Sequence, residues 1–239
     1  MPTRRLAILV PVLIAFVLLL VRGVGPADRA PTLHIAAASS LRATLPDHVA
    51  AFTDANPGIS AEVAYASSGT LAAAIERGAP YDVFLSADEA RPARLMELGL
   101  LAQSGVQPFA VSRIVYVSRD RDASADATPR IAIPNPAFAP YGRAAEVWLS
   151  THPEFGPHSL IYTDSVANAA GLFRAGAVDG AFVDPEHASQ LALAGAQTAT
   201  LDGAPPITLA AGVMRSSTRA DEAERFVRFI REHRLPAQP

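Results

Sequence analysis

The chain has 239 residues, a formal net charge of −3 and a sequence pI near 6.1. It contains no cysteine, and all twenty of its Lys+Arg residues are arginine. Disulfides, Cys nucleophiles, iron–sulfur clusters and thiolate zinc sites are thereby excluded, as are the phosphate-loop lysine, Schiff-base chemistry and the S-x-x-K hydrolases. The acidic balance argues against nucleic acid as a partner, because that calls for a basic patch. What remains is chemistry by hydroxyl, carboxylate, imidazole, guanidinium and backbone.

Arg4 and Arg5 precede sixteen uninterrupted apolar residues, 6–21, and Arg22, Gly23 and a polar Pro/Ala/Asp stretch follow. Residues 1–30 therefore read as a signal peptide or an N-terminal membrane anchor; the apolar run is long for the first and short for the second. Both readings put the rest of the chain outside the cytoplasmic membrane, in a periplasmic setting. A cut after Ala27 would remove three arginines and no acid, leaving seventeen basic against twenty-three acidic residues, a balance of −6.

Strand and helix signals then alternate. Residues 33–38 form an apolar run that reads as a strand. Leu41, Leu45, Val49 and Phe52 fall at helical spacing, and Asn56-Pro57-Gly58 stops that helix. Residues 61–66 alternate as a second strand, 70–77 read as a helix ended by Gly78, and 82–85 as a third strand. Ser86-Ala87-Asp88-Glu89 has the form of a capping box opening a helix to about Leu98. The second half predicts strands at 113–118, 131–133, 159–162, 181–183 and 207–214. Its helices are expected at 141–149, 165–174, 186–193 and 218–231, the last with Phe226, Phe229 and Ile230 on one face. The loop 119–130 reads as solvated surface. Such alternation predicts an α/β protein with mostly parallel sheets and helices on both faces, in two units near 32–110 and 113–210, and the strand before the last helix could return to the first unit.

In α/β sheets, ligands bind beyond the carboxyl ends of strands, at the N-termini of the following helices. Four such junctions carry polar residues: Ser39-Ser40, Ser67-Ser68-Gly69-Thr70, the rigid Pro134-Asn135-Pro136-Ala137-Phe138-Ala139-Pro140-Tyr141-Gly142, and Thr163-Asp164-Ser165-Val166. Any one alone is explained by helix capping. Two serine pairs at adjacent strand ends instead point into one crevice rich in neutral donors, which suits an anion. A tetrahedral oxyanion accepts about seven or eight hydrogen bonds by lone-pair counting.

The stretches Ser67-Ser68-Gly69-Thr70-Leu71-Ala72 and Ile75-Glu76-Arg77-Gly78-Ala79-Pro80-Tyr81-Asp82-Val83-Phe84-Leu85-Ser86-Ala87-Asp88, with residues 36–41 and 131–142, resemble the molybdate-binding proteins of ABC transporters. The resemblance extends from about Leu33 to the final helix. It implies a two-lobed periplasmic binding protein fold (type II), each lobe a mixed, mostly parallel sheet flanked by helices. Lobe 1 is then expected at 31–110 plus 214–239, and lobe 2 at 111–213. It implies molybdate or tungstate held in the interlobe cleft without a charged side chain, no cofactor, and no metal beyond the molybdenum or tungsten of the anion. It further implies a monomer that delivers the anion to a membrane permease. By position, the contacts fall on the hydroxyl of Ser39 or Ser40, or both, on Ser68, and on the backbone N–H groups of Tyr141 and Val166.

One position departs from the pattern. Many relatives carry a tyrosine near residue 183, where this chain has Phe182-Val183-Asp184-Pro185. Asp184 facing inward would repel a dianion or accept a proton from a different ligand. As an N-cap of the following helix it would do neither.

The six histidines form no metal-binding pair, Asp82 and Asp88 fall in a strand and a cap, and no G-x-S-x-G elbow occurs. Trp148 reads as packing, and Arg225, Arg228 and Arg231 as a solvated face. Two rivals follow. One is the same fold holding another small anion or polar solute. The other is a membrane-tethered serine hydrolase, for which His34 is the nearest base in sequence, yet about 16 Å from the carboxyl end of its strand.

Overall fold

The computed structural model describes residues 32–119 and 128–233. The expected targeting segment 1–30 and most of the loop 119–130 lie outside the described residues. Among the described residues no helix is long and apolar enough to cross a membrane.

The first half of the chain runs β1 (Thr32–Ala38), α1 (Leu45–Ala55), β2 (Ser60–Ala66), α2 (Ser68–Glu76), β3 (Val83–Ser86), α3 (Ala90–Glu97) and β4 (Gln107–Ser112). There follow β5 (Val115–Ser118), β6 (Arg130–Pro134), α4 (Pro140–Thr151), β7 (Ser159–Thr163), α5 (Val166–Arg174), β8 (Gly180–Val183), α6 (Pro185–Leu193) and β9 (Gln197–Thr200). The chain closes with β10 (Ile207–Val213) and α7 (Ala220–Glu232). Two five-stranded sheets result, ordered β2-β1-β3-β10-β4 and β7-β6-β8-β5-β9. Each mixes parallel pairs (β1 with β2 and β3; β6 with β7 and β8) with antiparallel ones. The two-lobed α/β expectation holds.

Burial explains the strand sequences. From Ile35 to Ala38 every residue of β1 is buried, as are all four of β3 and of β8. These strands are covered on both faces, so alternation gives way to continuous apolar runs. The edges read differently. β9 is Gln-Thr-Ala-Thr and fully exposed, a polar edge that discourages strand addition. β4 is also an edge, which is why its ladder tolerates Pro108 and a register shift opposite Leu209 and Ala210.

The structure revises several sequence assignments. The strand expected at 207–214, counted with the second lobe although it could return to the first unit, does return and pairs antiparallel with β3 and β4 in the first sheet. Strands β4 and β9 were not anticipated, and the strand expected from 113 starts at Val115. Ser39–Leu41 is a separate 3-10 turn, and the helix expected from Leu41 begins at Leu45. The capping box does not form, because Ser86 is the last residue of β3 and Asp88 caps α3 in its place, accepting from Arg91 N at 3.0 Å.

The chain passes between the sheets twice, from β4 to β5 and from β9 to β10. Buried apolar residues of the two lobes join in one cluster. In the first lobe, Phe52 of α1 meets Phe226 and Phe229 of α7 edge-on, with ring centroids at 5.1 and 5.5 Å. In the second, Trp148 packs against Phe155 and Phe182 and donates from Nε1 to the Asp202 carbonyl at 3.0 Å. On α7, Arg225, Arg228 and Arg231 are exposed, and Arg231 donates to Gln107 Oε1 at 3.2 Å.

Candidate functional site

Four strand-to-helix junctions carry the candidate residues. The Ser39–Leu41 turn leaves the carboxyl end of β1 with all three residues buried and lies against α5. Ser40 is 6% exposed, and its Oγ is buried without a hydrogen-bond partner. A buried hydroxyl left unpaired costs free energy, so a native structure that keeps one normally has a use for it.

The second serine pair divides its labour. Ser67 caps α2: its Oγ accepts from Thr70 N at 3.3 Å and lies 2.7 Å from Thr70 Oγ1. Ser68 is 1% exposed, and its Oγ accepts from Ala87 N at 2.9 Å. A hydroxyl that accepts one bond this way keeps its own proton to donate.

The second lobe contributes helix N-termini. Pro140 opens α4, fixing φ where no N–H is needed, and Tyr141 follows it in the first turn, where N–H groups have no intrahelical acceptor. At α5 the Ser165 side chain caps Asn168 N at 3.2 Å, leaving the first helical residue, Val166, outside that bond. Val166 itself is 2% exposed and packs in the core.

The Tyr141 ring turns inward, away from solvent. Its hydroxyl donates to Ser112 Oγ at 3.0 Å, at the end of β4 where the chain leaves the first sheet. Burial pushes the phenol pKa up, and the nearby Asp184 charge adds to the effect. Tyr141 is therefore neutral and a donor at any physiological pH. Ser40 lies close enough to influence this phenol, although the two make no hydrogen bond of good geometry.

Asp184 is 1% exposed and directed at its own helix. Oδ1 accepts from Glu186 N at 3.1 Å and His187 N at 3.2 Å, and Oδ2 lies 2.6 Å from His187 Nδ1. It is an N-cap, and its carboxylate is already occupied.

The lobes touch directly beside these residues. Gly69 N donates to Phe138 O at 2.9 Å, and Arg91 Nη2 to Ala137 O at 3.0 Å. Asp88 of the first lobe is bridged by Arg91 and, from the second lobe, by Arg143. Burial lowers the Arg91 pKa, while the adjacent Asp88 charge opposes that shift. A groove of ≈ 560 Å³ runs along the outer edge of this contact, lined by Asp88, Glu89, Pro140, Arg143, Val147 and Ile207. The serines do not line it.

Of the expected site residues, Ser39 and Ser40 lie in a turn against α5, Ser40 stands near the Tyr141 phenol, and Gly69, next to Ser68, bonds the loop before α4. Sequence reasoning missed Ser112 and the Asp88–Arg91–Arg143 cluster. Of the residues set aside, Asp82 accepts from His34 N at 2.8 Å and Ser217 Oγ at 2.6 Å. His34 approaches Glu62 at 3.7 Å, His152 stacks on Trp148 and His158 bonds the Gly156 carbonyl. Among the described residues no histidine hydrogen-bonds Ser39, Ser40 or Ser68, and no group of three or more His, Asp or Glu gathers to hold a metal ion.

Comparison with known proteins agrees with this architecture. Residues 33–234 match the family model described as bacterial extracellular solute-binding protein. The chain is similar to the molybdate-binding protein ModA of Rhodobacter capsulatus, 35% identical over 103 residues, covering 40% of each chain. It is also similar to ModA of Azotobacter vinelandii, 29% identical over 127 residues, covering 50% of each. The matched segments thus span half or less of these curated relatives. Among solved structures, the Azotobacter vinelandii periplasmic molybdate-binding protein superposes with TM-score 0.70 at 24% identity, covering 83% of this chain and 92% of that one. The sulfate-binding protein SubI of Mycobacterium tuberculosis H37Rv superposes with TM-score 0.71 at 17% identity, covering 84% and 81%. At these identities the superpositions establish the fold. Since the family model spans nearly the whole described chain, the protein belongs to the bacterial extracellular solute-binding proteins.

Proposed function

We propose that this protein captures molybdate or tungstate between its lobes in the periplasm and delivers the anion to an ABC permease. The observation that carries this reading is the Ser40 hydroxyl, buried and unpaired at the meeting point of the two lobes. Around it stand Ser39, the Ser68 hydroxyl and the first-turn N–H groups of Tyr141 and Val166, all neutral donors. A fully ionised tetrahedral oxyanion needs donors only, and helix N-termini favour its charge. The ModA relatives support molybdate as the cargo. The anion settles on one lobe, closure adds donors from the other, and the permease reads the closed form. The protein acts as a monomer, exported by residues 1–30 or tethered by residues 6–21.

The carboxylate of Asp184 was the reason to consider a protonated ligand or polar solute. Its engagement by two N–H groups and His187 supports the ionised oxyanion over that alternative. A serine hydrolase draws no support from the site, where the serines lack a histidine partner.

Titration calorimetry with molybdate, tungstate, sulfate and phosphate tests the cargo. Binding of the first two and not of the others is expected, because sulfate has the same shape and charge but shorter bonds. Heat from sulfate or phosphate alone would reassign the site. The double variant Ser40→Ala/Ser68→Ala is expected to lose binding while remaining folded, and wild-type affinity in it would rule out these contacts.

A further inference from the structure

The charged residues of this interface stand outside the pocket of neutral donors. Asp88 follows β3 in the first lobe, with its side chain 12% exposed. Its Oδ1 is consumed locally, accepting from Arg91 N at 3.0 Å and Ser86 Oγ at 3.2 Å. Its Oδ2 receives Arg91 from its own lobe and Arg143 from α4 of the other. The loop before α4 then offers three successive carbonyls, each with a donor. Pro136 O takes Arg143 Nη1 at 3.3 Å, Ala137 O takes Arg91 Nη2 at 3.0 Å, and Phe138 O takes Gly69 N at 2.9 Å. Two of those donors come from the opposite lobe. Each arginine therefore ties Asp88 to the 136–138 loop, and the two straps cross the mouth in the same place.

We propose that Asp88, Arg91 and Arg143 form an ionic clasp that holds the lobes closed and sets how long the anion stays. This rests on reading the cleft as the oxyanion site. Two features favour a clasp over a chance surface pair. Asp88, the acceptor that Arg143 reaches from the other lobe, has a side chain only 12% exposed, so solvent screens the interlobe pair less than one exposed on both sides. The second oxygen of Asp88 is held by bonds within its own lobe, which fixes the carboxylate without help from Arg143. The neutral pocket supplies recognition, and the clasp supplies retention.

Arg143→Met is the informative variant. It removes the arm from the second lobe, keeps side-chain bulk and leaves Asp88 paired with Arg91, so neither lobe acquires a stranded buried charge. Because Arg143 is 42% exposed, the expected effect is moderate. Dissociation of molybdate should speed up about tenfold with little change in association, the usual consequence of losing one partner of a partly desolvated pair. Arg143→Lys should recover part of the loss. A ligand-free readout is available because the chain has no cysteine. Spin labels at Ala93→Cys on α3 and Ser150→Cys on α4 report the separation of the lobes by pulsed dipolar spectroscopy. The expected result is a smaller closed population in the Arg143→Met background. An unchanged dissociation rate together with an unchanged distance distribution would overturn the clasp. If the wild-type protein binds neither molybdate nor tungstate, the cargo assignment fails, and the distance measurement alone decides the clasp.

Discussion

At Gly69 the two lobes come within the width of a hydrogen atom of exclusion. A Cβ there would stand 2.9 Å from the Phe138 Cα, the Phe138 carbonyl oxygen and Arg91 Nη2, and the backbone atoms have no room to yield while the lobes are closed. Gly69 also lies in the first turn of α2, where alanine is the better helix former by up to about 1 kcal/mol in a helix interior. Gly69→Ala therefore sets local stability against closure. The expected outcome is an unchanged or slightly raised ligand-free melting temperature with at least a tenfold loss of oxyanion affinity, checked by calorimetry beside thermal denaturation. An alanine variant that closes and binds normally would show that the lobes do not need this approach. Residues of this kind differ in how far the sequence discloses them. Ser39, Ser40 and Ser68 stand out as candidates because hydroxyls at strand-to-helix junctions are a local pattern. Which member of Ser67-Ser68 caps the helix was not legible, since either could satisfy the first turn. The bridge from Arg143 to Asp88 spans 55 residues and carries no local signature; only folding brings the partners together.

Helix α7 shows what an element contributes. Its apolar stripe, Ala223, Phe226, Val227 and Ile230, is fully buried, and Phe226 meets Phe52 of α1 on the first lobe. The C-terminal helix thus fastens the lobe that carries both serine pairs. Phe226→Ala is expected to cost about 3–5 kcal/mol, as aromatic truncations in cores do. Urea denaturation should show a lower midpoint, and a loss below 1 kcal/mol would mean that α7 is not integral to this lobe. The stripe was readable in advance because Phe226, Phe229 and Ile230 recur at helical spacing. Strands with buried faces were readable as apolar runs. β4 and β9 were not, and the reasons are physical. β4 is an edge broken by Pro108, and β9 is a polar edge with no buried face, so neither carries the pattern that burial imposes. The return of β10 to the first sheet could be raised only as one option, because an apolar run specifies burial but neither its partner strands nor its direction. That return makes the second crossover and gives each lobe two connections to the other.

For the molecule as a whole, the proposed site is completed only by closure, since Ser39, Ser40 and Ser68 belong to one lobe and Tyr141 and Val166 to the other. An anion so placed stabilises the closed, folded chain and has no matching site in the unfolded one. Binding must then raise the unfolding free energy by about 2.7 kcal/mol at a ligand concentration one hundred times Kd. For a protein of this size each kcal/mol shifts the melting temperature by roughly 2–4 °C, so molybdate should raise it by about 5–10 °C. Matched concentrations of sodium sulfate should give little shift, because the discrimination lies in cavity size and donor geometry and not in charge. Differential scanning calorimetry with the two salts at equal ionic strength makes the comparison. Equal shifts would mean general anion stabilisation and would sink the case for an oxyanion-selective cleft. In Ser40→Ala/Ser68→Ala the molybdate shift should vanish. In Arg143→Met it should shrink in proportion to the logarithm of the lost affinity, because retention and recognition are carried by different residues.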